Sequence, residues 1–224
     1  MKFAPVTASK NIVDKYKRYL NTIFSISDKI YSEQFKKLLA DQKTYAAGPY
    51  LDVTDSFIKS DNIEGLIANN ILQSCFSRIN MSQSRPLYKH QMTAIEKVTN
   101  GDNIVVSTGT GSGKTESFLI PIFNHLLREV ESGCLDSGVR ALIIYPMNAL
   151  ANDQIERLRD LLKALPEITY GSYTGQTKNT YKDALVDYKN LNNGQLPPLN
   201  ELISREQMKK TPPNILITNY AMLE

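Results

Sequence analysis

Ser107-Thr108-Gly109-Thr110-Gly111-Ser112-Gly113-Lys114-Thr115 lies between the apolar run Ile104-Val105-Val106 and a helix-like stretch, Glu116 to Val130. A strand that ends in glycines and opens into a helix aims several backbone N–H groups, and the positive end of the helix dipole, at one point. That geometry suits a polyphosphate. Lys114 then reaches the β and γ phosphates, and Thr115 offers its hydroxyl to Mg²⁺ as the candidate metal contact. Gly109, Gly111 and Gly113 let the backbone approach the oxygens with no Cβ in the way. Thr110, Ser112 and Glu116 complete the candidate loop, and Thr108 stands where the general pattern has glycine. The strand, loop and helix context predicts an α/β fold built on a mostly parallel sheet with helices on both faces.

Three further stretches frame the loop. Leu87-Tyr88-Lys89-His90-Gln91 opens a helix whose buried face is Met92, Ile95 and Val98 and which ends at Asn100-Gly101. Taken alone, Gln91 reads as a surface position of that helix. Ala141 to Tyr145 has strand length, breaks at Pro146-Met147-Asn148, and leads into an amphipathic helix with Leu150, Ile155, Leu158, Leu161, Leu162 and Leu165 on its core face. Ile215 to Ile217 is a third short strand, running into Thr218-Asn219-Tyr220, and Ile168 to Ser172 is a fourth, ending at Tyr173-Thr174-Gly175.

The core Thr110-Gly111-Ser112-Gly113-Lys114-Thr115 and the order of these stretches resemble the superfamily 2 DEAD/DEAH-box helicases and translocases. The likeness covers about Leu87 to Glu224. It implies a P-loop, RecA-like first motor domain that binds ATP with Mg²⁺. It makes Gln91 the residue that reads adenine through an amide able to donate and accept, and Tyr88 a stacking surface. It also makes Pro146, Met147, Asn148 and Gln154 (motif Ia), Thr174 and Gly175, and Thr218 and Asn219 (motif Ib) contacts to a nucleic-acid backbone. Such contacts bond phosphate without reading base identity. Arg157 is read equally as a phosphate contact and as a solvated charge. Within the family, T-G-T-G-S-G-K-T-E-S-F, Y-P-M-N-A-L-A-N-D-Q and I-T-N-Y-A-M-L-E are most similar to a bacterial group of large helicases associated with DNA repair or phage defence, so DNA is the expected track. The G-P-Y-L turn at Gly48 to Leu51 points the same way. Two other readings stay open: a P-loop ATPase of another class, and a non-catalytic nucleic-acid or protein-binding module whose loop is vestigial.

Composition sets limits. The 42% hydrophobic fraction, with no apolar run of about 18 residues, indicates a globular chain without a membrane span. No secretory-type segment opens it, and Cys75 and Cys134 read as reduced thiols, so a cytoplasmic setting is expected. A net charge of +3 is a weak bias toward polyanions. Residues 1–85 read as a helical accessory segment and 86–224 as the motor domain. In the first, Ile12 to Phe24 and Ile30 to Leu39 form two apolar stripes. After a turn at Gly48-Pro49, an Asp61/Glu64 capping pair opens a third stripe, Ile63 to Phe76. Pro121 should bend or split the helix after the loop. The polar stretch 176–211 reads as an insertion with short helices near Tyr181 to Tyr188 and Leu199 to Glu206.

No acidic pair follows a strand to supply the motif II aspartate and glutamate that the resemblance implies. Asp183, Asp187 and Glu201 lie in the polar insertion. The sequence therefore reads as a domain truncated before motif II and lacking the second RecA-like domain, its expected partner. Because phosphoryl transfer depends on positioning and charge stabilisation, the purified chain is expected to hydrolyse ATP slowly or not at all. A nucleic-acid-stimulated turnover assay checks this, and turnover at an intact motor's rate contradicts it.

Overall fold

Two helices open the structure, a computed structural model that describes residues 4–41, 45, 46, 48 and 56–223. The chain forms two compact units that divide between Ser56 and Phe57. In the first, α1 (Pro5–Ile23) begins with proline, whose missing N–H costs nothing at that position. Asp28 caps α2 (Lys29–Ala40) by accepting from the amides of Ile30 and Tyr31. Phe24 and Phe35 meet edge to face at 6.0 Å. The apolar stripes form as the periodicity predicts, but only Leu39 is buried; Ile12, Tyr19, Ile30 and Tyr31 are exposed. The turn at Gly48-Pro49, and with it the G-P-Y-L stretch, lies outside the described residues beyond Gly48.

The second unit takes in residues 57–85 together with the loop. Here β1 (Lys59–Asn62) pairs antiparallel with β2 (Pro86–Tyr88). The expected Asp61/Glu64 cap is replaced by Asn62, whose side chain accepts from the Gly65 amide at 2.8 Å, while Asp61 accepts from the amide of Asn62. The third stripe is not one helix. α3 (Ile63–Ala68) stops before Asn70, which takes a left-handed φ of 57°, and a 3₁₀ turn spans Ser74–Arg78. Ile63, Leu66, Leu72 and Phe76 are buried regardless, because tertiary packing carries this segment. Asn124 completes it from a distance, accepting from the Gln73 amide at 2.8 Å and donating to the Ile71 carbonyl at 3.2 Å.

α4 (Lys89–Thr99) ends at Asn100 as expected, but Val98 is exposed and the buried positions are Gln91, Ala94 and Ile95. α5 (Lys114–Glu131) is continuous through Pro121. The proline removes one intrahelical bond, and the neighbouring Leu119, Ile120, Phe123, Leu126 and Leu127, all buried, hold both halves against the core.

Four parallel strands form the sheet: β3 (Ala141–Tyr145), β4 (Tyr170–Tyr173), β5 (Glu201–Leu202) and β6 (Ile215–Asn219), in the order β3-β6-β4-β5. α6 (Asn148–Leu161) packs against β3, β6 and β4. It buries Ile155, Leu158 and Leu161, with Leu162 and Leu165 just past its end, but Leu150 is exposed. Coverage is one-sided at β3: Ile143 is buried whereas Leu142 (49%) and Ile144 (48%) are exposed. The run Ile104 to Val106 is not a strand. It pairs with none of the described strands, and Val105 is 96% exposed. A strand is defined by its ladder, which local sequence cannot supply.

The insertion forms α7 (Tyr181–Leu191) as expected. The predicted helix at Leu199 to Glu206 is instead β5 followed by α8 (Arg205–Lys210), which starts from a Ser204/Gln207 capping box. Asn200 prevents the helix by donating to the carbonyls of Leu165 and Ile168. Glu201 is buried as the bidentate partner of Arg159 on α6, at 2.8 and 2.9 Å. This raises the Arg159 pKa, and burial with the Glu201 charge raises that of Tyr170. Among the described residues no helix is long and apolar enough to cross a membrane. Phe123→Ala is expected to cost about 3–5 kcal/mol with no change of fold, measurable as a lower urea midpoint.

Candidate nucleotide and nucleic-acid site

Glycine conformation shapes the loop. Gly111 and Gly113 have φ of 74° and 73°, left-handed backbone that residues with a side chain adopt only at a cost. At Gly113 the space is closed as well: a Cβ would collide with the Gln91 amide nitrogen and sit 2.9 Å from Glu116 Oε2. α5 thus begins on a residue without a side chain, and no side-chain cap bonds its first amides. The Glu116 N–H donates to the Gly113 carbonyl at 3.2 Å, and the amides of Lys114 and Thr115 before it, with the helix dipole, form an anion-binding end. Lys114 Nζ donates to the Thr108 and Gly109 carbonyls, both at 2.7 Å. The hydroxyls of Thr108 and Ser112 share a hydrogen bond of 2.6 Å. Thr110 is exposed at the tip, and Thr115 is half-buried in the first turn of α5. This donor set fits a polyphosphate. Among the described residues the lysine is bonded to two neutral carbonyls, which charged phosphate oxygens outcompete.

Three rings stand beside the loop. Tyr88 and His90 stack at 5.7 Å, and Phe57 lies 5.2 Å from Tyr88 and 5.7 Å from His90. His90 Nε2 is 2.9 Å from the Ser112 carbonyl oxygen, which fixes this cluster to the loop. Gln91 is 1% exposed and is no surface residue. Its side-chain oxygen accepts from the Tyr88 amide at 2.8 Å, and its nitrogen donates to the Gly113 carbonyl at 2.9 Å. Both ends of its amide therefore bond the chain's own backbone, tying the start of α4 to the start of α5.

Glu116 is buried one residue after Thr115. Its Oε1 accepts from Arg157 of α6 at 2.8 Å and from Arg85 at 3.5 Å. Arg157 is thus neither a free phosphate contact nor a solvated charge. Burial raises the pKa of nearby Tyr145, with the Arg157 charge acting the other way.

The parallel register gathers the remaining candidates. Tyr145 pairs with Asn219, and Tyr173 with Thr218, so the carboxyl ends of β3, β6 and β4 lie side by side. Asn219 Nδ2 donates to Asn148 Oδ1 at 2.6 Å, joining the turn after β3 to the end of β6. Pro146 and Met147 are exposed there, and Gln154 is half-buried farther along α6. Thr218 is buried and donates to the Tyr173 carbonyl at 2.7 Å. Thr174 is buried, its hydroxyl accepting from the Gln176 amide at 3.3 Å. Both threonines shape the rim from within, while Gly175 is exposed on it. Arg205, from the insertion, donates to the Thr174 carbonyl at 2.9 Å and lies over the Tyr173 ring.

Residues 88–222 match the family model for DEAD/DEAH box helicases. The chain belongs to this family. Among curated relatives of this DEAD/DEAH box chain, the Druantia protein DruE of Escherichia coli is 33% identical over 190 residues, spanning 75% of the chain and 10% of DruE. The ATP-dependent helicase Lhr-Core of Methanothermobacter thermautotrophicus is 34% identical over 128 residues, 57% of the chain and 13% of that protein. The chain thus spans a small part of the relatives it matches. A crystal structure of the DUF1998 helicase MrfA bound to DNA has the same fold at a TM-score of 0.53 and 23% identity, covering 75% of the chain and 18% of MrfA. The parallel α/β sheet is therefore that of a RecA-like helicase domain, and nucleotide use follows from family membership.

Several contacts of the candidate site have no counterpart in local sequence pattern. His90 neighbours a predicted site residue, but nothing around Phe57 marks it, and Arg157 meets Glu116 across 41 residues of chain. Gly113→Ala is expected to destabilise the protein by about 1–3 kcal/mol through backbone strain. Gly175→Ala, whose Cβ meets nothing within 4 Å, should change stability by less than about 0.5 kcal/mol. Paired chemical denaturation curves measure both.

Proposed function

We propose that the chain is the ATP-binding part of an ATP-dependent helicase or translocase that runs on DNA. In this reading residues 86–224 are the first RecA-like domain and residues 1–85 an accessory segment that precedes it in sequence, of which residues 57–85 share the compact unit of the loop. The observation that carries the proposal is the uncapped start of α5, with Lys114 held above it on two loop carbonyls. When ATP binds, it brings a chain of phosphates and an adenine, with Mg²⁺ as counter-charge. The amides of residues 111–115 cradle the phosphates, and Lys114 exchanges its carbonyl partners for phosphate oxygens. The Thr115 hydroxyl would hold Mg²⁺. The rings of Tyr88, His90 and Phe57 offer the base an apolar surface, and Gln91 supports it by fixing Gly113 in place.

The nucleic-acid track is assigned to the rim formed by Pro146, Met147, Asn148, Gly175 and Asn219, with Gln154 alongside. Thr174 and Thr218 hold its turns. A rim of mostly uncharged side chains suits a motor that steps along any sequence, because its amides and backbone bond phosphate and sugar without reading bases. DNA is favoured by the likeness in fold to a helicase solved on DNA. The partner in this reading is a second RecA-like domain, which closes over the nucleotide. The setting is cytoplasmic, in keeping with the two free thiols, Cys75 and Cys134. Burial and the neighbouring Glu131 push the Cys75 thiol up to about 12, so it stays protonated.

Titration with a fluorescent ATP analogue and Mg²⁺ tests this reading. The wild-type chain should bind saturably, and Lys114→Ala should weaken binding at least about tenfold, since a charged hydrogen bond is lost. Equal affinity in a folded Lys114→Ala protein overturns it. Competition between single-stranded DNA and RNA of one sequence tests the track, with DNA expected to displace more effectively.

A further inference from the structure

Glu116 stands out among the residues that a nucleotide would approach. It is a buried carboxylate directly after Thr115, and its Oε1 reaches α6. There Arg157 Nη2 meets it at 2.8 Å, with both side chains largely enclosed, 11% exposed for Glu116 and 33% for Arg157. The other oxygen, Oε2, is buried with no hydrogen-bond partner among the described residues, and it occupies the space a Gly113 side chain would enter, 2.9 Å from where a Cβ would stand. A shift of the loop at Gly113 therefore moves this carboxylate, and the carboxylate has only Arg157 and the longer Arg85 contact to follow. Arg157 sits on a single uninterrupted helix whose first residue, Asn148, hydrogen-bonds Asn219 at the end of β6. From Gly113 to the rim, the path runs through one ion pair, one rigid helix and one amide contact.

We infer that Glu116 and Arg157 are positioning residues that couple the nucleotide loop to the nucleic-acid rim, so that occupancy of one site changes affinity at the other. This rests on the function proposed above, and it assigns the coupling to a named pair. Energetic coupling between sites is reciprocal and is read as the factor by which one ligand changes the affinity for the other. Being a ratio, that factor cancels any change a substitution makes to either affinity alone.

The test is a titration of the whole chain with the fluorescent ATP analogue and Mg²⁺, at zero and at saturating single-stranded oligodeoxynucleotide. It is carried out for wild type, Arg157→Ala, Arg157→Lys, Glu116→Gln and the Glu116→Gln/Arg157→Ala double variant. Glu116→Gln keeps an acceptor while removing the buried charge, so the measurement does not hang on a variant with an unpaired carboxylate. The wild-type factor should be about fivefold or more. Arg157→Ala and Glu116→Gln should each bring it below about twofold, the double variant should lose no more, and Arg157→Lys should keep part of it. A wild-type factor of one, or variants that keep the wild-type factor, overturns the inference and leaves the proposed function standing. A melting temperature that falls while the factor stays unchanged marks a purely structural pair and also overturns it. Failure of the wild type to bind nucleotide overturns both readings.

Discussion

The left-handed turn at Gly113 is the constraint on which the site depends. It lets α5 start abruptly with no side-chain cap, and it brings the Gly113 carbonyl to Gln91 while Glu116 takes up the space a side chain there would need. Three elements meet at that point: α4 through Gln91, α5 through its first turn, and α6 through Glu116 and Arg157. A residue with a side chain there would have to displace two buried polar groups and adopt a strained φ at once. The loop is therefore held from behind by polar contacts, while its open side is left to the ligand.

The second organising feature is the register of the parallel sheet. Because β3, β6 and β4 pair in step, three turns that are far apart in sequence end at one edge, the usual ligand side of open α/β sheets. The insertion is fastened to this frame. Arg159 and Glu201 join it to α6 through a buried bidentate pair, and Arg205 returns to the Thr174 turn. Breaking such a pair by removing one partner leaves a buried charge unpaired, so 176–211 belongs structurally to the sheet although its composition is that of a loop.

Features carried by local pattern were legible in the sequence. The loop, α6, β3 and the end of α4 follow from glycine placement, apolar periodicity and a terminal Asn-Gly. Features settled by distant partners were not. Ile104 to Val106 has strand composition but no ladder, and the Ile63 to Phe76 stripe keeps its buried positions while its backbone is broken at Asn70. Leu199 to Glu206 has helical spacing, yet Asn200 and Glu201 are claimed by Leu165, Ile168 and Arg159. At the site, sequence located the glycines and the lysine but not which polar groups face inward. Gln91, Thr174 and Thr218 have the chemistry of ligand contacts, and the fold turns each of them toward its own backbone.

Leu142 and Ile144 add a consequence of a different kind. They face outward from β3, which lies at the end of the sheet order among the described strands. One side of that strand therefore offers unpaired backbone donors and acceptors beside two large apolar side chains. An edge with those properties is a template for another extended segment. A lysine on that edge is the device by which sheets discourage such pairing, and β3 carries none.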